Sequence, residues 1–269
     1  MMVTGLAGVY QARFKTELAV QFQYRAALVI WLLGLILEPL IYLVVWTTVA
    51  RSQGGEAGGF SRGEFAAYFA ILMVVNHATF TWHFWEFEWR VRHGFFSPVL
   101  LRPIHPIHAD LAQNLTFKLL TFTVVAPVAL LLLVSFDATF SPSLVDIAAF
   151  APALVLAMAL RFCLEWTLAL AAFWLTRVSA INQSYYVLVL FFSGQLAPLS
   201  LLPVALRAVA TALPFRWMIS FPLETLLGRS SGAELAIGYA AQLAWLGVSL
   251  VLLRVTWRAG VRRYSAVGA

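Results

Sequence analysis

Five stretches of this chain run for more than twenty residues with no more than two charged side chains each: 26–49, 63–85, 113–135, 147–175 and 233–256. A bilayer's hydrocarbon core is about 30 Å thick and takes about 20 apolar helical residues to cross. Every one of these runs has that length. A shorter run, 184–200, is read as a further span, placed fifth in order. Only 11% of residues are charged and 62% are hydrophobic, with mean hydropathy +0.85. Soluble domains carry about 25% charged residues. The expected fold is an all-α polytopic membrane protein with six transmembrane helices, one transmembrane domain over 1–269, and no room for a sizeable soluble domain.

Residues 3–24 place Leu6, Tyr10, Phe14, Leu18 and Phe22 four apart, with charged residues mainly on other faces. That spacing predicts an amphipathic helix lying in the membrane interface. It is not a secretory signal, because Arg13 and Lys15 stand well before a first apolar run that outlasts signal-peptide length. Glu38-Pro39 is expected to break that first span, with Glu38 either on a translocation path or in a hydrogen bond to a neighbouring helix. Residues 51–62 form a Gly-rich loop, and Trp82, Trp85 and Trp89 form an aromatic belt. Arg161 and Glu165 sit four apart in the fourth span, so they share a helical face and can pair. A charge pair at that depth serves function or fixes packing. Residues 193–230 carry Gly194, Pro198, Pro203, Pro214 and Pro222, too many breakers for one straight helix. Short re-entrant helices are expected there.

The longest polar-rich interruption is 86–110, EFEWRVRHGFFSPVLLRPIHPIHAD. It is expected to lie in water between spans two and three and to touch another protein. Twelve of the eighteen Lys and Arg fall on the side of this stretch and the termini (13, 15, 25, 90, 92, 102, 118, 177, 254, 258, 262, 263). Five fall on the other (51, 62, 207, 216, 229). The positive-inside rule then puts both termini in the cytoplasm. Basic residues at the ends of apolar runs serve topology and form no nucleic-acid patch.

Several chemistries lack their residues. The only lysines, Lys15 and Lys118, each follow a phenylalanine, so there is no Gly-Lys pair to hold phosphates and no Walker A site. Any nucleotide dependence belongs to a partner. His105, His108 and Asp110 are a weak metal pattern in a proline-broken loop. His77 and His83 read as interfacial or core residues. Ser193-Gly194 lacks the flanks of a nucleophile elbow. The single Cys163 forms no intrachain disulfide. An ATP-independent channel or secondary transporter would line a pore with ionisable groups, for which only Glu38, Arg161 and Glu165 qualify. A lipid-modifying enzyme has no Ser/His or His/Asp constellation to support it.

The whole chain resembles the permease subunits of ABC-2 type (type V) transporters. Gly94-Phe95-Phe96-Ser97-Pro98-Val99-Leu100-Leu101-Arg102-Pro103 is similar to that family's coupling segment. Leu213-Pro214-Phe215 through Pro222 to Gly228 is similar to its re-entrant region. Phe173-Trp174-Leu175-Thr176-Arg177 and the tail Arg263-Tyr264-Ser265-Ala266-Val267-Gly268-Ala269 resemble a subgroup often encoded as permease pairs with one ATPase. The resemblance implies a bacterial cytoplasmic-membrane exporter of a drug, lipid or glycoconjugate. It implies a cytoplasmic ATPase dimer that binds ATP and Mg, a second identical or homologous permease, and surrounding lipid. Arg90 and Arg92 would meet acidic ATPase residues, while Phe95, Phe96 and Leu100 fill an apolar groove.

Overall fold

A computed structural model describes residues 5–264; positions 3 and 4 of the expected first helix and Ser265–Ala269 of the tail lie outside the described residues. The helix α1 (Leu6–Gln23) turns at Tyr24 into α2 (Arg25–Ser52). A small hairpin, β1 (Glu56–Ala57) with β2 (Phe60–Ser61), closes the Gly-rich loop and leads into α3 (Arg62–Thr79). Ser61 caps α3 by accepting from the Glu64 amide, while Glu64 reaches back to the Ser61 amide. That reciprocal pair satisfies two of the donors a helix start leaves open. Next come α4 (His83–Arg92), the single turn α5 (Ser97–Leu100), α6 (Ile107–Ser135) and α7 (Leu144–Ala169). The chain ends with α8 (Ser179–Phe192), α9 (Val204–Ala212), α10 (Pro214–Met218), α11 (Ser220–Leu226) and α12 (Gly232–Arg263).

Five helical segments are long and apolar enough to cross a membrane: Val29–Ser52, Arg62–Arg92, Ile107–Ser135, Leu144–Phe173 and Gly232–Arg263. The expected span 184–200 is instead α8, which stops at Phe192. Its fourteen residues rise about 21 Å, short of the hydrocarbon core by itself. Two residues past the helix lies Gly194, whose backbone is left-handed (φ 87°) and whose carbonyl accepts the Tyr68 hydroxyl at 2.7 Å. A Cβ there would stand 2.7 Å from that hydroxyl oxygen, so both conformation and space require glycine.

α3 and α7 form the middle of the bundle. α3 packs on α2, α6 and α7, and α7 packs on α12, α11, α10 and α4. Gly238 and Gly260 let α12 approach the rings of Phe221 and Phe173 with no side chain between. The outward faces of α2, α6 and α12 carry exposed Ile30, Ile41, Leu130, Leu131, Val251 and Val255. This apolar surface belongs in hydrocarbon rather than water.

Two backbone expectations are corrected. Pro39 does not interrupt the first long helix, since α2 continues through it to Ser52, as α6 continues through Pro127. The helical path out of the second span also extends past Trp85 to Arg92, so the loop once set at 86–110 shortens to 93–106. The reason is amphipathy. Phe84, Phe87 and Val91 of α4 are buried, while Glu86–Arg90 and Glu88–Arg92 pair four apart on either flank of that buried stripe. In 193–230, prolines mark helix starts, where a missing amide costs nothing. Pro203 precedes α9 and Pro214 opens α10.

Candidate functional site

The centre of the bundle holds a buried polar network built where α3 breaks. Residues 80–82 interrupt the helix, leaving backbone groups without helical partners. The Thr81 amide and hydroxyl both donate to Glu165 Oε2, at 3.1 and 2.8 Å. Glu165 Oε1 accepts Arg161 Nε at 2.8 Å and the Tyr185 hydroxyl at 3.2 Å. Arg161 Nη1 donates to Asn76 Oδ1 and Thr79 Oγ1, at 2.8 and 3.0 Å. The two side chains are 4% and 1% exposed. The pair expected from its spacing is therefore formed, and it clamps α3, α7 and α8 together. Reasoning on charges alone missed Asn76, Thr79 and Thr81. The polar run NHATFT inside an apolar span was their signal.

Beside this network lies a cavity of about 600 Å³ between α2, α3, α6 and α8. Glu38 lines it and accepts from Tyr42, Tyr186 and Gln195, at 3.4, 3.0 and 3.2 Å. Arg161 reaches the same wall, and so does Lys118. Lys118 counts toward the cytoplasmic side in the basic asymmetry, although it falls within the expected span 113–135. It is buried within α6, about three turns from the start of that helix at Ile107, which leaves the basic asymmetry at eleven against five. Gln21, Tyr24 and Glu86 lie at the end of the cavity where α1 and α4 meet the bundle.

At that end α1 lies against α6, with the Tyr10 hydroxyl 3.0 Å from His108 Nδ1. Its Leu6, Phe14 and Phe22 are exposed, while Glu17 is turned inward. Burial raises the Glu17 carboxyl above its ordinary value, partly offset by Arg13 and Arg90. Arg90 Nη1 donates to Asp110 Oδ1 at 2.7 Å, and Asp110 Oδ2 accepts Trp166 Nε1 at 3.0 Å. Arg92 pairs with Glu88 at 3.1 Å, and Glu88 also accepts the Val178 amide at 2.8 Å. Both arginines expected to reach a partner thus have carboxylates within the chain. Asp110 ties α4, α6 and α7 together, so Asp110→Asn is expected to lower stability by about 1.5–3 kcal/mol, the worth of hydrogen bonds to a charged group. Thermal unfolding of purified protein measures it; an unchanged melting temperature would show no net contribution.

The segment expected to dock is sorted by burial into two sets. Phe96 is 1% exposed and packs on Phe87, Phe173, Trp257 and Tyr264, so it is not free to enter a groove. Phe95 is 55% exposed and stacks on Trp89, with ring centroids 4.8 Å apart, and Leu101 is 88% exposed. Gly94 (φ 73°) makes the turn that points these neighbouring phenylalanines in opposite directions. Leu100 is half-buried against the core; Arg102 and Pro103 are exposed. Ser97 Oγ lies 2.8 Å from the Tyr264 hydroxyl, which joins the segment to the end of α12. His105 is wedged by Trp166 and Trp257, and burial holds its imidazole below its ordinary value. Among the described residues no three His, Cys, Asp or Glu side chains gather as a metal site.

At the opposite end, Pro214, Phe215 and Pro222 are buried in α10 and α11 against the bundle, while Gly228 is exposed. Arg229 pairs with Glu64 and bonds the Gly59 carbonyl, holding this region to the hairpin end of α3. Compared with known families, residues 36–268 match the one described as ABC-2 family transporter protein. The chain belongs to that family. No curated protein and no solved structure gives a match. The ABC-2 match begins inside α2, two residues before Glu38. It takes in the Arg161–Glu165 network, the 93–106 segment and the cavity lining from Glu38 onward, and leaves outside α1 and the part of the cavity wall before residue 36, Trp31 and Gly34 included. With its apolar helices, family membership makes the chain a multi-pass membrane permease of ABC type.

Proposed function

We propose that the chain is the permease subunit of an ATP-driven exporter, moving a hydrophobic or amphipathic compound such as a drug, lipid or glycoconjugate. A cytoplasmic ATPase dimer binds ATP and Mg and docks on 93–106, and a second permease completes the transporter in a bacterial cytoplasmic membrane. The observation that carries this reading is membership of a transporter family in a chain with no Gly-Lys pair. Nucleotide closure would move α4 and α5, and the Arg90–Asp110–Trp166 contacts would pass that movement to α7, which bears Arg161 and Glu165. Affinity-tagged permease from its own host should carry co-purifying Mg-ATP hydrolysis. A preparation that moves solute with no such activity would put the chain among ATP-independent transporters.

The topology that goes with this function has six crossings and both termini cytoplasmic. Its support is that Val178 is held to Glu88 while Arg229 is held to Glu64, at opposite ends of the Arg62–Arg92 segment. The chain between them passes from one end to the other through α8 and the re-entrant turns of α9–α11. Single cysteines at Gln53 and Ser141, in a Cys163→Ser background, should label from outside intact cells, and one at His93 should not. Outside labelling at His93 would overturn this orientation.

A further inference from the structure

The cavity beside the Arg161–Glu165 network is lined in part by Lys118, which has no carboxylate partner among the described residues. Lys118 is buried in α6, faces the cavity, and among the described residues forms no ion pair. Every other charged group on that wall is engaged. Arg161 is paired with Glu165 and bonded to Asn76 and Thr79. Glu38 is held by the two tyrosines and Gln195, and Glu86 at the mouth is paired with Arg90. His77 is hydrogen-bonded to Thr121 on the same helix as Lys118. Charging an amine in a low-dielectric interior without a counter-charge is costly, and an anion delivered to it recovers that cost.

The remaining walls suit a chain rather than a second polar group. Trp31, Phe80, Trp82 and Phe117 line the space, and Gly34 of α2 faces it with nothing within 4 Å of where a Cβ would stand. A volume of about 600 Å³ accommodates a small ligand. We propose that this cavity binds an amphiphile with an anionic headgroup, its phosphate or carboxylate on Lys118 and its chain along Trp31, Phe80, Trp82 and Phe117. This deepens the exporter reading and rests on it only in treating the amphiphile as cargo.

The test measures binding of tritiated stearate to the purified full-length permease in a neutral maltoside detergent, without ATP or ATPase. Stearate should bind saturably, lysophosphatidate should displace it and stearylamine should not. Lys118→Met should weaken binding about tenfold, the size of effect that a 1.4 kcal/mol loss produces. Lys118→Arg, which keeps the charge, should bind within about threefold of wild type. Gly34→Leu, which fills the cavity and leaves every charge in place, should also weaken binding, so the proposal stays testable if Lys118→Met folds poorly. Phosphatidylglycerol as a second competitor separates the two sources of such a headgroup. Displacement at lower concentration than lysophosphatidate identifies a bilayer lipid, and the reverse identifies a single-chain compound. Equal displacement by stearylamine, or undiminished binding in both Lys118→Met and Gly34→Leu, would overturn the site. Since no nucleotide is present, that failure leaves the exporter reading standing, which fails only if no ATPase accompanies the permease.

Discussion

Arg161→Leu and Glu165→Leu are each expected to remove most folded protein from the membrane, and the double substitution to restore part of it. Breaking a buried pair by deleting one partner costs about 3–5 kcal/mol, because an uncompensated charge stays behind. That is a large part of the roughly 5–15 kcal/mol by which a native protein is stable. The damage of the two single changes should differ. Glu165→Leu orphans the Arg161 guanidinium together with the Thr81 amide and the Tyr185 hydroxyl. Arg161→Leu leaves Glu165 three other donors, from Thr81 and Tyr185, so it should be the milder. The double change removes both charges but still leaves Thr81 and Tyr185 without an acceptor, so recovery is partial. Expression level and thermal unfolding in detergent read all three. Simple additivity of the two single losses would show that the ion pair contributes no coupling.

Much of this bundle was legible because membrane helices are written as apolar runs of a fixed length, and α2, α3, α6, α7 and α12 all follow from that rule. The Arg161–Glu165 contact was legible too, since a four-residue spacing on a helix fixes which side chains meet. Other features depended on partners far away in the chain. Phe95 and Phe96 are adjacent and chemically identical, and nothing local says which turns inward. The choice is made by Phe173, Trp257 and Tyr264, all more than seventy residues away. Lys118 was counted toward the cytoplasmic side because charge near the start of an apolar run normally marks a membrane edge. The start of α6 at Ile107 carries it inward instead. For α4, the charged residues suggested a loop, although the spacing of Phe84, Phe87 and Val91 already held the helical period. The end of α8 was set by a long-range bond from Tyr68 to the Gly194 carbonyl, which no window around 184–200 contains.

Phe95→Asp and Phe96→Asp are expected to fail in opposite ways, although the residues are neighbours. Phe96 sits among four aromatic rings from α4, the turn after α7, and the end of α12. Emptying a buried Phe site costs about 3–5 kcal/mol, and a carboxylate placed there adds an unpaired charge. Phe96→Asp should therefore unfold this end of the bundle and sharply lower yield and melting temperature. Phe95 lies outside that cluster, stacked on exposed Trp89, and Leu101 on the same segment is exposed as well. Replacing it by Asp removes only a surface stack, so yield and melting temperature should hold. If Trp89, Phe95 and Leu101 form the apolar face that enters the ATPase, a carboxylate in that contact exceeds what each buried side chain contributes, about 1.5–3 kcal/mol. Phe95→Asp should then lose the co-purifying ATPase, with Leu101→Asp doing the same and Arg92→Gln having a smaller effect because Arg92 is already paired with Glu88. The measurement is ATPase recovered per mole of tagged permease, beside the melting temperature of each variant. Full recovery with Phe95→Asp and Leu101→Asp would move the docking surface away from this face. The Phe96 cluster would then account for this end of the bundle as packing alone.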